Sequence, residues 1–554
     1  MTADLLRVLR LWMGRSAWLV IGVVITVLSA LAGLALLAFA GKLVAASIGG
    51  AANVAFLAAG ALALLWLRPL ILLRPIMRYL ERLATHEATF RALADMRVWF
   101  FARLAQRLPT GLGLRRAGDL LGRLVADIET LDGLYLRSLA PAAAALAVVL
   151  AIALVLGAAD PMLAVLVALP LAAALALPLL LAPDAARAAE AAAQAQGSLR
   201  NAAVDPLTGL EDTLAANGEG RALARVAAEG HALAAAQRGL ARRAAWGSAA
   251  GSLLTQIALL AALAWALSAG SHGVAAGVLA VFMATAAAEA LGFMPRAGAS
   301  VAAAAAGARR VFEAADTAEP VPDPISPAAA PTGHALALRD IVFTWAPDRP
   351  RVFDSLDLDL PEGGRLALLG PSGTGKSTLA ALLLKFAAPQ QGQIMLGGVD
   401  IARLPAAMVR DRIAWLTQDA RLFDDTIAAN LRLAAPEADD VALWQALDRA
   451  RIGDVVRALP EGLQTRCGEA GVRFSGGQAR RLVLARALLS PAPVLILDEP
   501  AAGLDAATER AFMETLDEAT AGRSIILILH RLTGVERPHR ILRLVGGKAI
   551  AATG

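Results

Sequence analysis

Cysteine and lysine are almost missing from this chain of 554 residues. Its one cysteine, Cys467, cannot close an internal disulfide and matches no metal-ligand spacing, which excludes a disulfide scaffold and a thiolate metal cluster. Lysine occurs only at positions 42, 376, 385 and 548, so the net charge of +5 and the pI near 9.9 rest on arginine. Such a pI suits nucleic-acid binding, but an arginine bias combined with abundant alanine is also what a GC-rich coding sequence produces. Charge alone therefore assigns no partner.

What the chain has in excess is apolar character: 57% of its residues are hydrophobic and its mean hydropathy is +0.59, above the range of ordinary soluble proteins. Six apolar runs, at 17–40, 51–73, 139–158, 162–182, 248–269 and 275–295, each approach the length of about 20 residues needed to span a bilayer core. The first resembles a signal peptide, yet it is too long for a signal core and further runs follow it. Short turns are expected near Gly41, Asp160 and Gly270. The stretches 74–137 and 184–243 are long, polar and rich in arginine, so the positive-inside rule puts them and the N-terminus in the cytoplasm. Their helical periodicity, as at 88–108, predicts that the spans continue beyond the membrane. No internal repeat is visible beyond the three hairpins. Six spans argue against a nucleic-acid partner and for the lipid bilayer.

A proline-rich stretch, EPVPDPISPAAAP at 319–331, lacks any apolar period and reads as an extended linker. The expected division is a membrane domain at 1–311, a linker at 312–333 and a soluble α/β domain at 334–554. Within the last, GPSGTGKST fits the phosphate-binding pattern G-x-x-x-x-G-K-[ST] over Gly370, Pro371, Ser372, Gly373, Thr374, Gly375, Lys376, Ser377 and Thr378. An apolar strand pattern, RLALL, precedes it, and a helical pattern, STLAALLLKF, follows. Backbone N–H groups of such a loop point at phosphate oxygens. Lys376 is expected to reach the β- and γ-phosphates of ATP, and Ser377 to ligate Mg²⁺. Further on, VLILDE ends an apolar run with Asp498, suited to hold Mg²⁺, and Glu499, suited to act as general base.

Between these two motifs lies FSGGQ, Phe474 to Gln478, and with it the chain resembles the ATP-binding cassette (ABC) transporters, with a membrane domain fused ahead of its nucleotide-binding domain. That resemblance implies a six-span α-helical membrane domain of exporter type joined to an α/β P-loop ATPase. It implies that Gln418, in LTQDARLF, touches the metal site and couples it to the membrane domain. By the same resemblance Asp505 matches the D-loop, His530 senses the γ-phosphate, and Trp345 stacks on adenine, the alternative being a core tryptophan. Ser475, Gly476, Gly477 and Gln478 would bind ATP held by the P-loop of a facing cassette, so the chain is half of a transporter. Phe474, Ala501 and Cys467 depart from the usual family residues without removing a catalytic group.

The segments RYLERLATHEATFRALADMR at 78–97, GDLLGRLVADIETLDGLYLRSL at 118–139 and HRLTGVE at 530–536 resemble the CydDC family of heterodimeric exporters, on the side of its C subunit. This implies a CydD-like partner half-transporter in the bacterial inner membrane and a role in cytochrome bd assembly. The expected cargo is a small thiol, cysteine or glutathione, or a haem-related compound. A homodimeric lipid or drug exporter is the alternative. Arg74, Arg78, Arg82 and His86 recur every four residues and form a stripe on one helix face. An anionic cargo suits that stripe, with His86 available to haem iron, and so does the ordinary excess of arginine on the cytoplasmic side. Glu289, inside the sixth span, is expected either to serve the substrate or to pair with a residue such as Arg68.

Overall fold

The computed structural model describes residues 2–48, 54–107, 122–268, 270–292, 294–371, 373–418, 421–501, 509–510, 513–514, 516, 520, 522–532 and 537–551. It divides into two compact units, Met1–Gln106 with Leu112–Thr317, and Arg107–Gly111 with Ala318–Gly554.

The first unit is helical. An amphipathic helix α1 (Thr2–Trp12) buries Val8 and Trp12, and its Arg7 pairs with Asp316 at 2.6 Å. Then come α2 (Ser16–Ile48), α3 (Val54–Ala105), α4 (Ala140–Ala159), α5 (Pro161–Thr208), α6 (Glu219–Ser268), α7 (Gly270–Leu291) and α8 (Met294–Ala315). Among the described residues, five helical stretches are long and apolar enough to cross a membrane. The expected span at 51–73 falls on α3, and residues 51–53 lie outside the described ones. At about 1.5 Å per residue, α3, α5 and α6 are each more than twice as long as the ~30 Å hydrocarbon core. Those three helices therefore carry their spans well beyond the bilayer.

The α4–α5 turn forms where expected. Asp160 caps α5, its Oδ1 accepting from the N–H groups of Met162 at 2.8 Å and Leu163 at 3.1 Å, with Pro161 at the first helical position. The turn expected near Gly41 is corrected, because α2 continues through Ile48. A Cβ on Gly41 would lie 2.9 Å from Cβ of Phe282, so this glycine permits close contact with α7. Helix α8 likewise runs to Ala315, into the stretch expected as linker, because Val311, Phe312 and Ala315 bury an apolar face.

The second unit holds two sheets. Strands β1 (Leu336–Phe343), β2 (Phe353–Leu360), β4 (Gln391–Leu396) and β5 (Val399–Asp400) form an antiparallel sheet in the order β2-β1-β4-β5. Strands β3 (Arg365–Leu369), β6 (Ile413–Leu416), β7 (Val494–Asp498), β8 (Ser524–Leu529), β9 (Arg540–Val545) and β10 (Lys548–Ala551) form the other, in the order β10-β9-β3-β8-β7-β6. All its pairings are parallel except the terminal β9–β10 pair. Strands β7 and β8 are buried along their whole length, as parallel strands covered on both faces must be, which explains their unbroken apolar runs. Register aligns Leu369 with Leu529, Asp498 with Ile528 and Leu416 with Leu497, so four strands finish at one level.

Candidate functional site

Chemistry gathers at that carboxyl edge, where loops leaving parallel strands carry the functional groups of open α/β sheets. The loop after β3 turns through Gly373 (φ +84°) and Gly375 (φ +102°), both in the left-handed region. At Gly375 a Cβ would lie 2.6 Å from Val352 and 3.0 Å from Phe353, so glycine is required twice over. Helix α9 (Lys376–Leu383) starts there, with Lys376 and Thr378 buried. The Lys376 ammonium donates to the carbonyls of Gly370 at 2.7 Å and Pro371 at 3.0 Å, which folds it over the loop mouth. Thr374 Oγ1 also donates to Pro371, at 2.9 Å. Ser372 lies outside the described residues.

Opposite the loop, the Ser377 hydroxyl donates to Asp498 Oδ2 at 3.3 Å. Burial raises the Asp498 pKa, with the adjacent Glu499 adding to the shift, while Ser377, Lys376 and Arg480 oppose it. A hydroxyl and a carboxylate side by side are hard oxygen donors of the kind Mg²⁺ takes. The next residue, Glu499, has φ +50°, a strained conformation for a residue with a Cβ. Its N–H is tied to the Ile528 carbonyl at 2.9 Å. Its carboxylate meets His530 Nε2 at 2.6 Å and accepts from Gln418 Nε2 at 3.4 Å. The residues expected to act as base, sensor and Q-loop glutamine thus converge on a single carboxylate.

Trp345 follows β1 and is 42% exposed, so the alternative of a core tryptophan is set aside. Its Nε1 donates to Thr378 Oγ1 at 3.2 Å, next to the phosphate loop. Ser475 caps helix α10 (Gly476–Leu489) in a reciprocal box with Gln478, and Ser475 and Gly476 are exposed. Asp505 lies outside the described residues.

One residue that sequence reasoning missed joins these parts. Arg480, buried on α10, donates to the carbonyls of Thr417 at 2.7 Å and Glu499 at 3.0 Å, and also to those of Gln418 and Asp498. It clamps the ends of β6 and β7 to the helix that begins at Ser475. The available signal was an arginine in helical register with Leu484, Ala487 and Leu488, where an apolar face leaves a cation only if it finds acceptors.

In the helical unit, Glu289 binds Arg74 Nη2 at 2.5 Å and also Arg78, in place of Arg68. Arg82 and His86 stand apart from that cluster. His86 is exposed and lies 5.8 Å from the ring of Phe90, so the expected stripe splits into a part paired with Glu289 and a part that, among the described residues, forms no ion pair. Cys467 is fully buried beside Asn430, and burial pushes its thiol up to about 11. It is poorly suited to thiol chemistry.

Comparison with known proteins bears on the same residues. A family model described as ABC transporter matches residues 353–502. The chain is 33% identical to the glutathione/L-cysteine transport system ATP-binding/permease protein CydC of Escherichia coli, over 97% of this chain and 94% of that one. It is 32% identical to the corresponding CydD of Bacillus subtilis, over 86% of this chain and 83% of that one. Among solved structures, a bacterial Atm1-family ABC exporter with ATP bound superposes with a TM-score of 0.85 at 26% identity, covering 96% of this chain and 94% of the other.

Proposed function

The chain belongs to the CydC/CydD group of ABC transporter ATP-binding/permease proteins, and from that premise we propose that it exports cysteine or glutathione as one half of a heterodimer. It is a multi-pass membrane protein of ABC exporter fold that couples ATP hydrolysis to transport. The observation that carries the cargo reading is the 33% identity, over 97% of this chain, to a glutathione/L-cysteine transport protein, while the convergence of Gln418 and His530 on the Glu499 carboxylate supports ATP hydrolysis.

In this reading the P-loop backbone and Lys376 hold the β- and γ-phosphates, and Trp345 supports the adenine. Mg²⁺ would be held by Ser377, Asp498 and Gln418 and would neutralise phosphate charge when bound. Glu499 accepts the proton of the attacking water, while His530 orients that carboxylate. Exposure of Ser475 and Gly476 supports a facing cassette that completes each site. The partner is then a CydD-like half-transporter. The membrane is the bacterial inner membrane, with the domain at 334–554 and the N-terminus in the cytoplasm, and the cargo serves cytochrome bd assembly.

The test is ATP-dependent uptake by inverted membrane vesicles holding this chain and its partner. Labelled glutathione or cysteine should accumulate in the lumen, and Lys376→Ala should abolish accumulation. Uptake of neither thiol, with ATP hydrolysis intact, would overturn the cargo assignment.

A further inference from the structure

The helical unit holds an open pocket of about 410 Å³ bordered by α5, α6 and the region where α7 gives way to α8. That volume falls within the roughly 300–1,000 Å³ of small-molecule sites. Helix α6 presents Ala244, Gly247, Ser248, Gly251, Ser252 and Thr255 to it, at the three- and four-residue spacing of one helix face. Small residues in a span ordinarily let two helices touch. Gly247 does so here, buried where a Cβ would lie 3.3 Å from Leu181, and Thr255 Oγ1 donates to the Ser252 carbonyl at 2.7 Å, but Ser248 and Ser252 border open volume and their hydroxyls gain no partner from lipid. Pro178, on the α5 side, has no N–H to offer the Ala174 carbonyl, and Ala174 also lines the cavity. The wall therefore combines small, hydroxyl-bearing and apolar positions with one carbonyl deprived of its helical donor.

Two opposite charges complete the lining. Asp184 Oδ2 accepts from Arg243 Nε at 2.8 Å, and both side chains are about half exposed. An ion pair this accessible contributes only about 0–1 kcal/mol, so exchanging its partners costs little. A ligand that carries both an ammonium and a carboxylate returns a partner to each.

We propose that this cavity binds the transported amino-acid thiol as a zwitterion, its carboxylate on Arg243 and its ammonium on Asp184. Ser248 and Ser252 face the remaining amide or amino groups, and Leu177, Leu181 and Leu291 face the thiol-bearing side chain. The proposal rests on the thiol-export reading and deepens it.

Stimulation of ATP hydrolysis in the purified heterodimer, titrated with L-cysteine, its methyl ester and N-acetylcysteine, tests the assignment. Arg243→Gln should raise the half-maximal L-cysteine concentration about tenfold and leave that for the methyl ester, which has no carboxylate, unchanged. Asp184→Asn should do the same for L-cysteine while sparing N-acetylcysteine, which has no ammonium. A merely structural ion pair would shift all three ligands alike, and that result would overturn the proposal. Ser252→Leu, which fills the cavity, should remove L-cysteine stimulation in heterodimer that still elutes as one species. Unchanged stimulation by L-cysteine in that variant, or sensitivity to phospholipid composition alone, would also overturn it. If the unaltered heterodimer neither responds to nor transports any thiol, the export reading itself fails. If it transports thiols while the three variants behave as the unaltered protein, only the cavity assignment fails.

Discussion

Glu499 and Glu289 are both carboxylates held by two nitrogen-bearing partners, and they show what makes such a group available for chemistry. Glu499 leaves the end of a buried parallel strand at φ +50° and meets His530 and Gln418. Neither partner is a permanent cation, so neither commits the carboxylate as an arginine would. Glu289 sits on a span and meets Arg74 and Arg78, permanent cations that use up its charge and leave the cluster net positive. We propose that one carboxylate is poised while the other is committed to structure.

The strongest way to break this contrast is to neutralise each in turn. Glu499→Gln should lower ATP turnover about a thousandfold while ATP affinity stays within about twofold, because the phosphate loop is untouched and only proton acceptance is lost. Single-turnover hydrolysis and equilibrium binding of labelled ATP in the heterodimer measure the two quantities. Turnover near that of the unaltered protein would make Glu499 another committed carboxylate.

Next in size is Arg480→Gln, which removes a guanidinium from four backbone carbonyls. Hydrogen bonds from a buried charge lead us to expect about 2–4 kcal/mol of lost stability. Turnover should fall roughly 10- to 100-fold because the strained Glu499 backbone loses its clamp. Arg480→Lys should recover only part of either effect, since an ammonium does not reproduce the planar fork. Thermal unfolding and the ratio of kcat to KM separate the two losses. A variant that is destabilised but retains kcat would confine Arg480 to folding.

Glu289→Gln comes third. It leaves Arg74 and Arg78 facing each other without an anion, whereas Arg78→Gln leaves a balanced pair with Arg74. Thermal stability in detergent should therefore fall more for Glu289→Gln, and thiol-stimulated ATP hydrolysis should change by less than about threefold in either variant. Equal stability of the two would return Glu289 to the list of substrate groups.

The same pair of carboxylates shows how far a sequence can be read. Lys376, Asp498 and Glu499 were legible because their spacing encodes a strand, a loop and a helix, and His530 followed from the resemblance to the ABC family. Glu289 was legible as unusual, but its partners were not. Arg68, Arg74 and Arg78 all lie on α3, and only the packing of α3 against α7 selects among them. Gly41 was misread for a related reason, since a glycine that lets helices touch looks like a glycine that ends one. Arg480 was hidden because its acceptors are backbone carbonyls, which carry no sequence signal. The cavity lined by Ser248 and Ser252 was equally hidden, as its walls come from three separate stretches, 174–185, 240–255 and 288–299, that only helix packing brings together.

The smallest expected effect concerns Asp498, the third carboxylate, which is neither poised nor paired with a cation. Burial, aided by Glu499, raises its pKa in the folded cassette above the value it has when unfolded. Between those two values the folded state binds more protons than the unfolded one, so stability without nucleotide must fall as pH rises through that window. Above that window the charged form of Asp498 is held at a cost to the fold. Asp498→Asn removes that cost, and the nucleotide-free protein should melt slightly higher than the unaltered one at pH 7. The difference should vanish below about pH 4, where the aspartate is protonated in both states. Mg²⁺-dependent tightening of ATP binding should be lost in the same variant, because its asparagine offers one neutral oxygen where the cation needs a carboxylate. Melting curves from about pH 3 to 8, with and without MgATP, measure both. A variant less stable than the unaltered protein at pH 7 without nucleotide would mean that Ser377, Lys376 and Arg480 already outweigh burial, which would make Asp498 a committed carboxylate like Glu289.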